Sequence, residues 1–343
     1  MRENILVTGG AGYIGSVVAG ALLKAGAEVV VLDNLSRGKR AAVPQGAEFV
    51  AGDVGDRAAL DRLFRERPFA AVMHFAASME VGESMQFPAL YFRNNSSNTL
   101  TLLEAVMAHK ISRFVFSSTA ALYGMPERTP IEETDPLRPI NPYGESKFFT
   151  ERMLAWFHRL NGLRYASLRY FNAAGAADDR GEDRDPETHL IPAAIEVATG
   201  KREHIAIYGT DYPTPDGTCV RDYIHVSDLA SAHLLALAAL EKKGQLIYNL
   251  GNSRGFSVRE VIESARRVTG RAIASRESER RPGDPAVLVA SSKKIRDELR
   301  WVPKHPELDD IVRSAWEWRR EHPNGYEEPS QGRPASGPPL SGV

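Results

Sequence analysis

Cysteine occurs once, as Cys219, so no disulfide can form within the chain. That fits a reducing compartment, and Cys219 reads as a small buried apolar residue. No apolar run approaches the roughly 20 residues that a membrane-spanning helix needs. The first strand pattern starts at about residue 3, leaving no room for a signal peptide, and the expected location is cytoplasmic. An excess of one charge is also lacking: 43 Lys and Arg stand against 44 Asp and Glu, interspersed along the chain. This argues against nucleic acid or an anionic membrane as partner. There is no internal repeat. What remains is 343 residues, 43% hydrophobic and 25% charged, enough to bury a large core in one or two domains.

Against this plain background, Asn141-Pro142-Tyr143-Gly144-Glu145-Ser146-Lys147 stands out. Tyr143 and Lys147 are one helical turn apart and share a face. Asn141 suits the helix cap and Pro142 its first position. A lysine beside a phenol favours the phenolate, so the spacing predicts a tyrosine of lowered pKa that exchanges protons with a substrate hydroxyl. Alone the pair is a common coincidence; its weight comes from the rest of the chain.

The N-terminus supplies that weight. Ile5-Leu6-Val7-Thr8 reads as a buried strand, and a helical pattern runs from Ser16 to Ala25. Between them lie Gly9, Gly12 and Gly15 in Gly-x-x-Gly-x-x-Gly spacing. Strand, glycine turn and helix form the context of a dinucleotide fingerprint, with phosphates on the helix N-terminus. A second strand, Glu28 to Leu32, ends in Asp33, whose carboxylate suits ribose hydroxyls and repels a 2′-phosphate. The reading is NAD over NADP, with Arg37 nearby as the contrary sign.

Further strands are expected at 48–51, 71–75, 113–117 and 163–168, with helices at 58–67, 88–110 and 143–160. Such alternation predicts an α/β fold, a doubly wound parallel sheet with ligands at the strands' carboxyl ends. Beyond Asn172 the pattern weakens. Loops are expected at 176–187 and 211–218, helices at 190–199, within 222–240, at 257–269 and at 307–321, and strands at 205–208 and 247–250. These predict a smaller, discontinuous second domain, with substrate between the two.

Motifs in order now carry a resemblance. Val7-Thr8-Gly9-Gly10-Ala11-Gly12-Tyr13-Ile14-Gly15, Leu32-Asp33-Asn34, Gly52-Asp53-Val54 and His74-Phe75-Ala76-Ala77 come first. Phe116-Ser117-Ser118-Thr119, the Tyr143 motif, Arg169-Tyr170-Phe171-Asn172 and the stretch from Tyr208 to Val226 follow. Over about residues 3 to 326 the chain resembles the extended short-chain dehydrogenase/reductases, and within them the UDP-glucose 4-epimerases.

The resemblance implies a Rossmann domain at 1–171 and 220–252, a UDP-sugar-binding domain at 172–219 and 253–325, and a disordered tail at 326–343. It implies NAD as cofactor, held by Gly9, Gly12, Tyr13, Ile14, Gly15, Asp33, Asn34, Asp53, Val54, Phe75, Ala76, Ala77, Asn95, Ser117, Tyr143, Lys147 and Phe171. Thr119, Tyr143 and Lys147 are the implied catalytic set. A UDP-hexose would meet Thr119, Asn172, His189, Leu190, Ala206, Ile207, Tyr208, Arg221, Arg281, Asp284 and Leu288. No metal is implied. The implied reaction interconverts UDP-glucose and UDP-galactose by reversible NAD-mediated oxidation at C4 through a 4-keto sugar, with Tyr143 as acid and base. A homodimer built on the helices 88–110 and 143–160 is also implied.

Some members carry a lysine where this chain has Ser78-Met79-Glu80. The resemblance places Leu288 at a gate for the sugar's 2-substituent, and its intermediate size leaves UDP-N-acetylhexosamines open, while UDP-glucuronate stays open because pocket detail decides specificity. A 4,6-dehydratase needs an acid beside the catalytic threonine, where Ala120 and Ala121 stand. A non-catalytic NAD-binding regulator would commonly lose the tyrosine or lysine, and both are present.

Overall fold

The computed structural model describes residues 3–327 apart from residue 282. Strands β1 (Asn4–Thr8), β2 (Glu28–Asp33), β3 (Glu48–Ala51), β4 (Ala71–His74), β5 (Arg113–Thr119) and β6 (Arg164–Tyr170) join β10 (Gln245–Leu250) in one parallel sheet. Its order is β10-β6-β5-β4-β1-β2-β3. The chain therefore winds outward from β1 in one direction and then in the other, and the switch lies between β1 and β4. In such sheets the crevice at the switch, at the strands' carboxyl ends, is the ligand site.

Strand periodicity builds the two faces. Ile5, Val7, Val29, Val31, Ala71, Met73, Val115, Ala166 and Leu168 pack on one side. Leu6, Val30, Leu32, Val72, Phe114, Phe116 and Tyr165 pack on the other. Helices α1 (Tyr13–Lys24) and α8 (Val226–Ala239) cover the first face, and α2 (Arg57–Glu66), α5 (Asn98–Ala108) and α6 (Pro142–Asn161) the second.

The helix expected over 88–110 forms as one helical run with a π turn inside it: after α3 (Val81–Gln86), α4 (Pro88–Tyr91) passes through a π-helical turn, Phe92–Ser97, into α5. The Asn95 carbonyl accepts one hydroxyl bond from within the helix, from Thr99 (2.7 Å), and one from Thr150 of α6 (3.1 Å), in competition with the helix's own amides.

The second lobe holds β7 (Asn172–Ala174), α7 (Leu190–Ala198), β8 (Ile205–Tyr208), β9 (Val220–His225), β11 (Gly255–Ser257), α9 (Val258–Thr269), β12 (Ser275–Ser278), β13 (Val287–Leu288) and α11 (Leu308–Glu321). Strand β9 pairs with β7, β11 and β13, and β8 pairs with β12. Ile191, Ile195, Ile207, Phe256, Val261, Ile262 and Ile311 form its core. Between β13 and α11, α10 (Lys293–Leu299) returns to the first lobe, where Ile295 and Trp301 enter its core. Of the expected tail at 326–343, residues from 328 onward lie outside the described residues. Tyr326 at its start is docked, its amide donating to Asp183 at 2.9 Å and its hydroxyl to the Gly181 carbonyl at 3.2 Å.

Candidate active site

The glycine turn after β1 is tight for a steric reason. A Cβ on Gly9, whose φ is +73°, would stand 2.4 Å from the Ala76 nitrogen, and one on Gly15 2.3 Å from the Gly9 carbonyl oxygen. Thus the turns after β1 and β4 meet at the switch point, and α1 starts against them. Gly12 caps α1, no side chain bonds its first amides, and its first turn carries no acid. This leaves a positive helix end facing the crevice, the arrangement that receives phosphates.

Asp33 closes the cradle. Its Oδ2 accepts from the Ala11 amide at 3.0 Å and its Oδ1 from Leu35 at 2.9 Å. Burial pushes its carboxyl pKa up, while those two amide bonds pull the other way. Asn34 donates to Asp53 at 2.7 Å, tying the ends of β2 and β3 together, with Val54 buried beside them. Phe75, Ala76 and Ala77 follow β4 directly. Asn95 is 1% exposed, and its amide is spent inside the protein. It accepts from Ser78 N at 2.8 Å and donates to Ser78 O at 2.8 Å and Ser146 Oγ at 3.0 Å. The structure does not bring Asn95 to the cleft surface; it clamps the loop that carries Ala76 and Ala77.

Helix α6 begins as its sequence dictates. Asn141 accepts from the Gly144 amide at 2.8 Å, and Pro142 occupies the first turn. A Cβ on Gly144 would lie 2.7 Å from the Ala121 carbonyl oxygen, so the helix start rests on the turn after β5. Thr119, the last residue of β5, is thereby set beside Tyr143. Burial raises the Tyr143 pKa; Thr119 and the Arg184 charge oppose it, and Glu80 adds to the rise. Lys147 is not aimed at the phenol. Its ammonium donates to the Ser117 carbonyl at 2.9 Å and lies 4.8 Å from the Phe116 ring centre. Burial pushes Lys147 itself down to about 7. Dehydration dominates both groups, and Lys147 is not among the charges that act on the phenol. Ser117 Oγ bonds the Tyr170 hydroxyl, and Phe171 continues from β6.

Across the cleft, two clusters hold the remaining candidates. In the first, Asn172 Nδ2 donates to the Asp222 carbonyl at 2.8 Å, and Arg221 Nη1 to Pro285 at 2.9 Å. Arg281 donates to Asp284 at 3.0 Å and lies 4.7 Å from the Tyr208 ring centre. Leu288 pairs with Arg221 in the β13–β9 register. Ala206 and Ile207 precede Tyr208 on β8. In the second cluster, His189 caps α7, which starts at Leu190, and its Nδ1 lies 2.8 Å from Glu182 Oε1.

Sequence reasoning missed the groups around His189. Glu182, Glu187 and His189 bring ligand-type atoms within 4.8 Å of one another. Arg184 and Arg319 already supply the neutralising charge there, so the arrangement is an ion-pair network. Gly-Glu-Asp-Arg-Asp-Pro-Glu-Thr-His (181–189) reads as a solvated charge run, and only its packing against α11 reveals buried acids.

Comparison with known proteins agrees with this geometry. Residues 5–251 match the NAD dependent epimerase/dehydratase family. A UDP-glucose 4-epimerase from Halalkalibacterium halodurans is 52% identical, over 94% of this chain and 97% of its own. One from Streptomyces lividans is 53% identical, over 96% and 99%. The structure of UDP-glucose 4-epimerase from Brucella ovis in complex with NAD superimposes with a TM-score of 0.89 at 47% identity, covering 92% of this chain and 98% of that one. The chain thus belongs to the NAD-dependent epimerase/dehydratase family, among the UDP-glucose 4-epimerases.

Proposed function

We propose that the protein interconverts UDP-glucose and UDP-galactose, with NAD in the switch-point crevice and Tyr143 as acid and base. The observation that carries this reading is the meeting of Thr119, Tyr143 and Lys147 at the carboxyl end of β5, in the same parallel sheet whose β1 carries the glycine turn. That turn and the Asp33 carboxylate fit a dinucleotide: first-turn amides for the diphosphate, one acid for a ribose. NAD, when bound, supplies a reversible hydride acceptor at sugar C4.

The chain's own residues do the rest. Tyr143 takes the proton of the 4-hydroxyl as the C–H bond breaks and returns it afterwards, with Thr119 bridging the phenol and the sugar oxygen. Lys147 would hold the nicotinamide ribose, and the positive charge of the cofactor would offset the burial of the Tyr143 phenol. Arg221 and Arg281 take the diphosphate as paired guanidinium donors, and Asn172 and His189 complete the grip. Binding energy from UDP, remote from the reacting carbon, keeps the sugar in place while it presents its other face.

We also propose a homodimer. Leu90, Leu100, Phe149, Trp156 and Leu160 are exposed along α4, α5 and α6, an apolar surface that suits a second copy.

The deciding experiment supplies UDP-galactose to purified protein without added NAD and follows UDP-glucose through a coupled dehydrogenase. Turnover that disappears in Tyr143→Phe supports the reading. No turnover with NAD supplied to folded protein sinks it.

A further inference from the structure

An ion pair between Glu80 and Arg184 links the two lobes. Glu80 lies in the loop after β4, and Arg184 in the loop between β7 and α7. The Arg184 guanidinium donates to Glu80 Oε1 and, at 3.2 Å, to Glu182 Oε1. It also rests on the Met79 sulfur at 3.2 Å. Thr188 Oγ1 adds a bond to Glu80 Oε2 at 3.2 Å. Glu182 then meets His189 at 2.8 Å. A continuous path, Glu80–Arg184–Glu182–His189, thus runs from the loop packed on Gly9 to the sugar-nucleotide side.

Both ends are anchored. The Tyr91 hydroxyl lies 2.7 Å from both the Glu80 carbonyl oxygen and Glu83 Oε2 and shares its one proton between them. Arg319 of α11 donates to the Glu182 carbonyl at 3.1 Å. The side chains of Arg184 and Glu80 are 20% and 28% exposed, so the pair is partly dehydrated and stronger than a surface bridge. Arg184 reaches the Ser78-Met79-Glu80 stretch, where this chain lacks a lysine, from the opposite lobe.

We propose that Glu80 and Arg184 form a clasp that holds the lobes together over bound NAD and fixes His189 for the sugar nucleotide. This rests on the function proposed above. Opening the clasp releases NAD faster and loosens UDP-sugar binding, while Tyr143 stays in place.

The test compares wild type, Glu80→Gln, Arg184→Met, Arg184→Lys and the reversed pair Glu80→Arg with Arg184→Glu. NAD retained per chain after gel filtration, its release rate, and KM and kcat for UDP-galactose are measured, with circular dichroism to verify folding. Glu80→Gln and Arg184→Met should release NAD roughly fivefold faster and raise KM more than they lower kcat. Arg184→Lys and the reversed pair should recover part of the loss. Wild-type release rates in both neutral variants, or no recovery in either charged one, overturn the clasp. A wild type that elutes without NAD overturns the clasp, and one that also fails to turn over with NAD supplied overturns the function proposed above as well. A wild type that holds NAD no more tightly than its variants overturns the clasp alone.

Discussion

Tyr143 sits where dehydration works against the charge state its proposed chemistry needs. The ordinary phenol value is 10.0, and burial moves it upward. A cationic nicotinamide is the missing counterweight. The expected outcome is a tyrosinate absorbance, taken as the difference from Tyr143→Phe, that appears only above pH 10 in NAD-free protein and at lower pH once NAD is bound. Identical titrations with and without NAD would exclude cofactor tuning. Tyr143→Phe itself should lower kcat by about 10²–10⁴-fold while retaining NAD. Leu288 offers a second test at this scale. It pairs with Arg221 at the proposed sugar site, and Leu288→Ala should raise kcat/KM for UDP-N-acetylgalactosamine relative to UDP-galactose. An unchanged ratio removes Leu288 from the gate.

Helix α6 is more than a carrier of two residues. One turn beyond Lys147, Glu151 is buried and paired with Arg169 of β6, Nε to Oε1 at 2.9 Å and Nη2 to Oε2 at 2.5 Å. Ser118 donates to the same carboxylate at 2.6 Å, and Arg169 also reaches the Tyr123 hydroxyl at 2.9 Å. This network pins the helix to β5, which presents Ser117 and Thr119, and to its neighbour β6. Glu151→Ala would leave a buried guanidinium unpaired and should cost about 3–5 kcal/mol in urea unfolding. A loss below 1 kcal/mol would mean that water or Tyr123 satisfies Arg169.

The glycine turn and the start of α6 were legible in the sequence because their determinants are local: glycines a turn apart, a capping asparagine, a proline. The π turn at Phe92–Ser97 was not, because Thr150, far along the chain, helps to bind the Asn95 carbonyl. Strands β7 and β13 are three and two residues long and exist only by pairing with β9, so no periodicity marks them. The Glu80–Arg184 pair depends on two lobes meeting, which sequence spacing does not encode.

At the scale of the whole molecule, three histidines are buried in neutral form. His74 sits between Thr8 at 2.7 Å and Thr99 at 2.9 Å, His225 bonds Ser314 at 3.0 Å, and His233 bonds the Leu229 carbonyl at 2.9 Å. Burial pushes His74 down to about 3, and His225 and His233 to about 4, from 6.5. Between those values and 6.5 the unfolded chain binds more protons than the native one, so stability rises with pH there and falls on acidification. His225 and His233 should each remove on the order of 3 kcal/mol, and His74 on the order of 5 kcal/mol, as pH drops through that window. Urea unfolding at pH 7, 5.5 and 4.5 should show this loss, and His233→Leu should shallow the slope. An unchanged slope would assign acid unfolding to carboxylates.

The chain passes between the lobes repeatedly: out after β6, back with α8, out after β10, back with α10 and out again with α11. For anyone recombining relatives, this routing rules out a cassette. Moving one homologue's sugar preference into another requires several coordinated crossover points, so point substitutions such as that at Leu288 are the more tractable route to altered selectivity.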